Sequence, residues 1–183
     1  VDMAIAFHQN GMLEEASLIY EKILIKDPGH IDAMNLLGLI ALQKKEYPQA
    51  IDLINKAILA SPHNNVPEFH ANLGCALHQE KLFDESIASF DLAISLNPSI
   101  ALYHTNRGLA QLEKKYFDSA INSFDQAIRL SPEDSRSFYY RGLAQLEKKY
   151  FDSSINSFDQ AIKLRGDFSE AFNNRGIAQL GNK

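Results

Sequence analysis

Residues 107–130 read RGLAQLEKKYFDSAINSFDQAIRL, and residues 141–164 read RGLAQLEKKYFDSSINSFDQAIKL. The two stretches agree at 22 of 24 positions and begin 34 residues apart. A segment that recurs at a fixed offset is a building unit, and its period constrains the fold more than any other feature of the chain. Looser copies extend the period in both directions. Pro28, Pro62, Pro98 and Pro132 are spaced by 34, 36 and 34 residues, and Gly38, Gly74, Gly108, Gly142 and Gly176 by 36, 34, 34 and 34. Ala16, Ala50, Ser86, Ala120 and Ser154 mark a small residue once per unit, and Tyr20, Ile54, Phe90, Phe124 and Phe158 follow each by four. All 183 residues are therefore expected to form one stacked array without a central core.

The unit spanning 101–134 predicts a helical hairpin. Leu109, Ala110 and Leu112 recur with helical spacing. Gly108 sits inside that helix, where glycine costs roughly 1 kcal/mol relative to alanine; its recurrence in each unit implies that another part of the chain passes close by. Lys114, Lys115 and Tyr116 form a turn, and the charge of Asp118 suits the first turn of a second helix. Phe117, Ile121, Phe124 and Ile128 line one face of that helix, with Ala120 and Ala127 beside it. Ser131-Pro132 ends it, because proline disfavours a helical residue before it and cannot continue the ladder. One hairpin cannot bury both of its apolar faces, whereas a stack can.

These residues resemble the tetratricopeptide repeat, a helix-turn-helix unit of about 34 residues. In the unit starting at Ile31 the signature slots hold Met34, Leu37, Gly38, Ala41, Ala50, Ile54, Ala57 and Pro62; in the unit starting at Ala101 they hold His104, Arg107, Gly108, Gln111, Ala120, Phe124, Ala127 and Pro132. The small-residue, glycine and proline slots match best, and Gly166 stands where the last proline would be. The expected division is a partial repeat at 1–30, full repeats at 31–66, 67–100, 101–134 and 135–168, and a lone first helix at 169–183. The resemblance implies an all-α, right-handed superhelical solenoid of eleven helices with no strand. The irregular join is expected as a longer loop from His63 to Phe69, where the spacing lengthens to 36.

The bulk numbers narrow the function. Net charge is −5, which disfavours a nucleic-acid binder, since that needs a basic face. No apolar run is long enough to span a bilayer, and no like-charge block points to a membrane surface. The one cysteine, Cys75, has no internal disulfide partner, which fits a reducing, cytoplasmic setting. The six histidines, His8, His30, His63, His70, His78 and His104, are scattered without metal-ligand spacing. No glycine-rich phosphate loop is present. The serines of SINSF recur with the repeat and read as structural. No catalytic residue, metal or other cofactor is expected. Val1 and a terminus inside a unit suggest a piece of a longer protein.

The family resemblance implies a concave groove lined by the first helix of each hairpin. The fifth residue of each unit is Asn35, Ala71, Thr105, Tyr139 and Asn173; the sixth is Leu36, Asn72, Asn106, Tyr140 and Asn174. An asparagine amide offers both donor and acceptor, so such a row is suited to holding the backbone of an extended peptide. The candidate peptide-binding residues are Asn35, Asn72, Asn106, Arg136, Tyr139, Tyr140, Asn173 and Asn174. The alternative is that the amides only tie helices together. Leu39, Cys75, Leu109, Leu143 and Ile177, with Leu42, His78, Leu112, Leu146 and Leu180, would make an apolar floor if they face the groove; the second of these rows reads better as packing between helices. The lysine and arginine clamp that related arrays use for a terminal carboxylate is absent, because its second-position slots hold Asp32, Glu68, Leu102, Arg136 and Glu170 and no lysine occupies the fifth position.

The expected function is a scaffold that binds a peptide or helix of a partner protein. The competing expectation is a substrate-recognition arm of a larger enzyme, such as a protein glycosyltransferase or sulfotransferase. Self-association through the terminal helix, which carries Phe172, Ile177 and Leu180, is a further expectation. Variation between copies adds one more. The leucine slot holds Leu37 and Leu73 early but Arg107, Arg141 and Arg175 later, and each arginine follows an aspartate by 16: Asp91, Asp125 and Asp159. A ladder of carboxylate–guanidinium contacts between successive hairpins is expected, because a packed lone charge is costly.

Overall fold

The computed structural model describes residues 2–62 and 65–183. Among the described residues there are eleven α-helices and no strand: α1 (Asp2–Gln9), α2 (Leu13–Lys26), α3 (Ile31–Gln43), α4 (Tyr47–Ala60), α5 (Pro67–Gln79), α6 (Phe83–Leu96), α7 (Ala101–Glu113), α8 (Phe117–Leu130), α9 (Ser135–Glu147), α10 (Phe151–Leu164) and α11 (Ser169–Gly181). The expected irregular join begins with His63 and Asn64, which lie outside the described residues; Pro67 opens α5, so Phe69 is already helical. The chain divides into two compact units, residues 1–96 and residues 97–183.

The four hairpins from α3–α4 to α9–α10 close around the periodic glycine; in α1–α2 that slot holds Ala4. A Cβ on Gly38 would lie 2.7 Å from Ile54, and one on Gly74 would lie 2.9 Å from Phe90. On Gly108 and Gly142 it would lie 2.7 Å from Phe124 and Phe158 respectively. The glycine is therefore a steric requirement: it lets a large side chain of the second helix seat against the backbone of the first. Phe90, Phe124 and Phe158 are fully buried there. Where the small residue of the second helix is serine, its hydroxyl uses the same approach. Ser86 Oγ donates to the Gly74 carbonyl at 2.8 Å, and Ser154 Oγ donates to the Gly142 carbonyl at 2.9 Å.

The turns within hairpins share one form. Lys45, Lys81, Lys115 and Lys149 adopt left-handed backbone with φ of 60–64°. In the first of these, the Lys45 N–H donates to Leu42 O and the Glu46 N–H donates to Ala41 O, the paired bonds of a Schellman ending. Glycine is the usual residue at such a φ; lysine there carries a steric cost of roughly 1–2 kcal/mol.

In unit one, Ala16, Tyr20, Ala33, Leu37 and Ile40 form one apolar cluster, and Met34, Ile54, Ile58 and Phe69 anchor the next. In unit two, Ala120, Phe124 and Ala144 form one cluster, and Phe158, Ala161, Phe168 and Ala171 form another.

Candidate peptide-binding face and the contacts between repeats

The candidate groove residues lie on first helices, and several of them touch a neighbouring first helix. In unit one, Asn35 of α3 is buried, and its Oδ1 accepts from Asn72 Nδ2 of α5 at 3.1 Å. In unit two, Asn174 Nδ2 of α11 donates to the Tyr139 hydroxyl of α9 at 3.2 Å and to the Glu170 carbonyl at 2.9 Å. Both contacts run from the sixth residue of one repeat to the fifth of the repeat before it. The amides thus join consecutive first helices, and their remaining donors and acceptors keep further hydrogen-bonding capacity. Thr105 takes the same slot on α7; its hydroxyl meets Ser137 Oγ at 2.9 Å, and Ser137 donates to Asp134 Oδ2 at 2.8 Å.

Tyr139 sits in an aromatic group. Its ring centroid is 4.8 Å from that of Phe168 and 5.2 Å from that of Tyr140. Burial raises its phenol pKa above the ordinary value, and Glu170 and Tyr140 push the same way. Tyr140 stacks on Phe124 at 6.0 Å. Asn106 is half-buried on α7, whereas Arg136 and Asn173 are exposed. The Arg136 Nε donates to Asp134 at 3.3 Å, and the two residues line a shallow cleft with Ala101, Leu102, Ser131 and Glu133. Apart from Ile177 and Leu180 of α11, which are exposed, the apolar rows are not an open stripe. Leu42, Leu109, Leu112, Leu143 and Leu146 are half-buried and pack on the core clusters.

Between hairpins, the expected ladder is present in unit two. Arg141 Nη1 donates to Asp125 Oδ1 at 2.7 Å, joining α9 to α8. Arg175 Nη1 donates to Asp159 Oδ1 at 2.8 Å, joining α11 to α10. The Asp91 and Arg107 pair falls across the two units and remains a proposal. Each arginine of a complete hairpin also has a partner that sequence reasoning missed. Arg107 Nε donates to Ser123 Oγ at 3.0 Å, and Arg141 Nε donates to Ser157 Oγ at 3.0 Å. Those serines pass a bond on, to Gln111 Oε1 at 2.8 Å and to Gln145 Oε1 at 2.7 Å.

A second set of contacts between hairpins, at an offset of 30, was also missed. Lys44 pairs with Glu14 at 2.8 Å, Lys148 pairs with Asp118, and Asn182 Nδ2 donates to Asp152 Oδ1 at 2.7 Å. The signal was legible, because the turn lysine and the acidic first turn of the preceding second helix recur together in the sequence. The bond to Glu14 raises the Lys44 pKa, and bonds to Asp118 and Tyr150 raise that of Lys148.

Among the described residues, no three or more His, Cys, Asp or Glu side chains are placed to hold a metal ion, and no helix is long and apolar enough to cross a membrane.

Comparisons with known proteins agree with this architecture. Three family models, each described as a tetratricopeptide repeat, match residues 7–73, 67–100 and 105–165. Among solved structures, MamA superposes with a TM-score of 0.84 at 22% identity, covering 93% of this chain and 98% of that one. YrrB, a tetratricopeptide repeat protein with an unusual peptide-binding site, superposes with a TM-score of 0.83 at 21% identity, covering 96% and 90%. Among curated proteins, the peroxisomal targeting signal receptor of Eremothecium gossypii is 39% identical over 57 residues, 31% of this chain. The human protein O-mannosyl-transferase TMTC1 is 27% identical over 93 residues, 50% of this chain. The chain spans only 10% of the length of either curated relative. The stacked glycine-and-ring hairpins and the three matching family models together establish that the chain belongs to the tetratricopeptide repeat family, whose repeats serve as scaffolds for protein–protein interaction.

Proposed function

We propose that the first-helix face of unit two binds an extended peptide segment of a partner protein. The observation that carries this reading is the grouping of Tyr139, Tyr140 and Asn174 beside Arg136 and Asn173 on consecutive first helices α9 and α11. Tyrosine supplies rigid contact area with a polar tip, and the amides supply donors and acceptors for a peptide backbone. Asn106 of α7 extends the face, and Asn35 and Asn72 form the corresponding pair in unit one. The peptide-binding site of YrrB, on a similar fold, supports the same use.

The test is selection from a displayed library of short peptides, followed by mapping of amide shifts. Selected peptides should bind with Kd on the order of micromolar and shift residues of α9 and α11. Asn106→Ala and Tyr140→Ala should each weaken binding by about 1 kcal/mol or more. Shifts confined to the second helices α8 and α10 would contradict the reading.

A second reading is that the array is the recognition arm of a larger enzyme. The partial similarity to a protein O-mannosyl-transferase favours it. A transferase domain in the same reading frame would decide for it.

A further inference from the structure

Where a second helix meets the next first helix, the acidic slot and the arginine slot come and go together, with one exception. Asp91, Asp125 and Asp159 precede Arg107, Arg141 and Arg175, and Asn55 and Leu73 carry neither charge. At the junction of α2 with α3, Glu21 keeps the carboxylate while Leu37 stands in the arginine slot. Among the described residues no salt bridge holds Glu21; Lys44 lies nearby but gives its salt bridge to Glu14 at 2.8 Å.

Space accompanies the missing guanidinium. A cleft of about 270 Å³ opens between α2 and the α3–α4 hairpin. Leu37 and Ala41 form its buried end, and Glu21, Glu46 and the 55% exposed Leu18 form its rim. A second feature of the cleft is independent of its acids. The other four second helices carry isoleucine in one slot, as Ile51, Ile87, Ile121 and Ile155, whereas α2 carries Ser17 there. Ser17 lines the cleft and is only 7% exposed. Its hydroxyl has no hydrogen-bond partner among the described residues, unlike those of Ser86 and Ser89. A buried hydroxyl left in this way is costly unless something else bonds to it.

Unit two shows what a guanidinium takes at such a junction: Arg141 donates to the Asp125 carboxylate and to the Ser157 hydroxyl. Glu21 and Ser17 offer the same pair of acceptors around an open space. We propose that this cleft binds an arginine side chain of a partner protein. The guanidinium donates to Glu21 and to Ser17 Oγ, and its aliphatic stem lies on Leu18 and Leu37. A planar fork suits a carboxylate and hydroxyl pair better than the point charge of lysine does, and an apolar wall suits the stem. A metal ion fits less well, because among the described residues no three acidic, histidine or cysteine side chains are placed to hold one. The site lies in unit one and does not rest on the peptide-binding reading of unit two.

The probe is the capped peptide acetyl-Ala-Gly-Arg-Gly-Ala-amide, titrated into the chain and followed by amide shifts. It should shift Ser17, Glu21 and Leu37 saturably, with Kd on the order of a millimolar, and more weakly as salt rises. Citrulline in place of the arginine keeps the shape and removes the charge; it should weaken binding by about fivefold or more. Glu21→Gln in the chain should do the same and leave the Tm nearly unchanged, because Glu21 is exposed. Ser17→Ile restores the residue of the other second helices. It should abolish the shifts and raise the Tm, because it fills the cleft with apolar surface. Those opposite signs separate a filled cleft from a damaged fold. Equal binding of the citrulline peptide, equal binding to Glu21→Gln, or no saturation at about 10 mM peptide would each overturn the proposal. Tighter binding of free arginine than of the peptide would assign the cleft to a small molecule and overturn it too, as would a concentration-dependent dimer that Glu21→Gln dissociates, since the arginine would then come from a second copy.

Discussion

The same slot in the repeat is filled by opposite chemistry in the two units. In unit one it holds Leu37, only 6% exposed against Ala16, Tyr20 and Ile40, and Leu73, which packs on the cluster of Met34, Ile54 and Phe69. In unit two it holds Arg107, Arg141 and Arg175. The surroundings change with it. Where the slot is leucine, the glutamine that accepts from the serine in unit two is replaced by Ala41 and Leu77, and Ser89 turns its hydroxyl back to the Glu85 carbonyl of its own helix at 2.9 Å. Where the slot is arginine, the serine faces the guanidinium and an aspartate waits on the preceding hairpin. The glycine-and-ring contact is common to both units, so it sets the hairpin, while the neighbouring slot is free to vary if its partners vary together. Magnitudes separate the two solutions. Burying a leucine contributes roughly 1.5–3 kcal/mol, whereas a part-exposed ion pair contributes about 0.2–1 kcal/mol. The guanidinium therefore adds orientation, through its planar fork of donors, more than it adds stability.

Transplanting the slot should break the comparison most severely. Leu73→Arg should destabilise unit one by about 3 kcal/mol or more, because Asn55 and Leu77 offer the charge no partner. Adding Asn55→Asp and Leu77→Gln should recover part of that loss in urea unfolding; no recovery would mean that the partners do not form the slot. Asn72→Ala comes next. It leaves the buried Asn35 Oδ1 without its donor and should cost about 1–3 kcal/mol, seen as faster hydrogen exchange in α3 and α5. Arg141→Ala should cost less, on the order of 1–2 kcal/mol, since Ser157 keeps Gln145 and Asp125 is part-exposed.

Alkaline pH should sharpen the contrast by acting on the lysine contacts and on Tyr139. Lys44, Lys148, Tyr139 and Tyr20 all have pKa values raised by folding. Their contribution is complete below the unfolded values, near pH 10, and is lost as pH rises through the folded ones. Thermal melts should therefore hold steady from neutral pH and fall at higher pH; a fall that begins near neutrality would contradict this. The smallest effect belongs to the turns. Lys149→Gly relieves the left-handed backbone but adds chain entropy in the unfolded state, so it should change stability by less than about 1 kcal/mol.

The helices, the turns and the small-residue contacts were legible because periodicity repeats them. The Asp125–Arg141 and Asp159–Arg175 pairs were legible because neighbouring copies differ there, and a charge entering a packed slot must bring its partner. Ser123 and Ser157 were read only as structural filler; their role depends on which side of α8 and α10 faces the guanidinium, and one copy cannot show that. The Asn72 and Asn174 contacts show a different limit. The sequence places amides on first helices, yet the choice between a ligand and a neighbouring helix rests on distances of about one side-chain length, which spacing does not encode.

The central claim, that the arginine slot couples one hairpin to the next, is tested most directly by a double-mutant cycle on Asp125 and Arg141. Stability of α8 and α9 would be followed by native-state hydrogen exchange in the Asp125→Ala, Arg141→Ala and doubly substituted chains. The account predicts a coupling energy of about 0.5–1 kcal/mol that shrinks at high salt. Single-mutant effects that add within about 0.3 kcal/mol at low salt would contradict it.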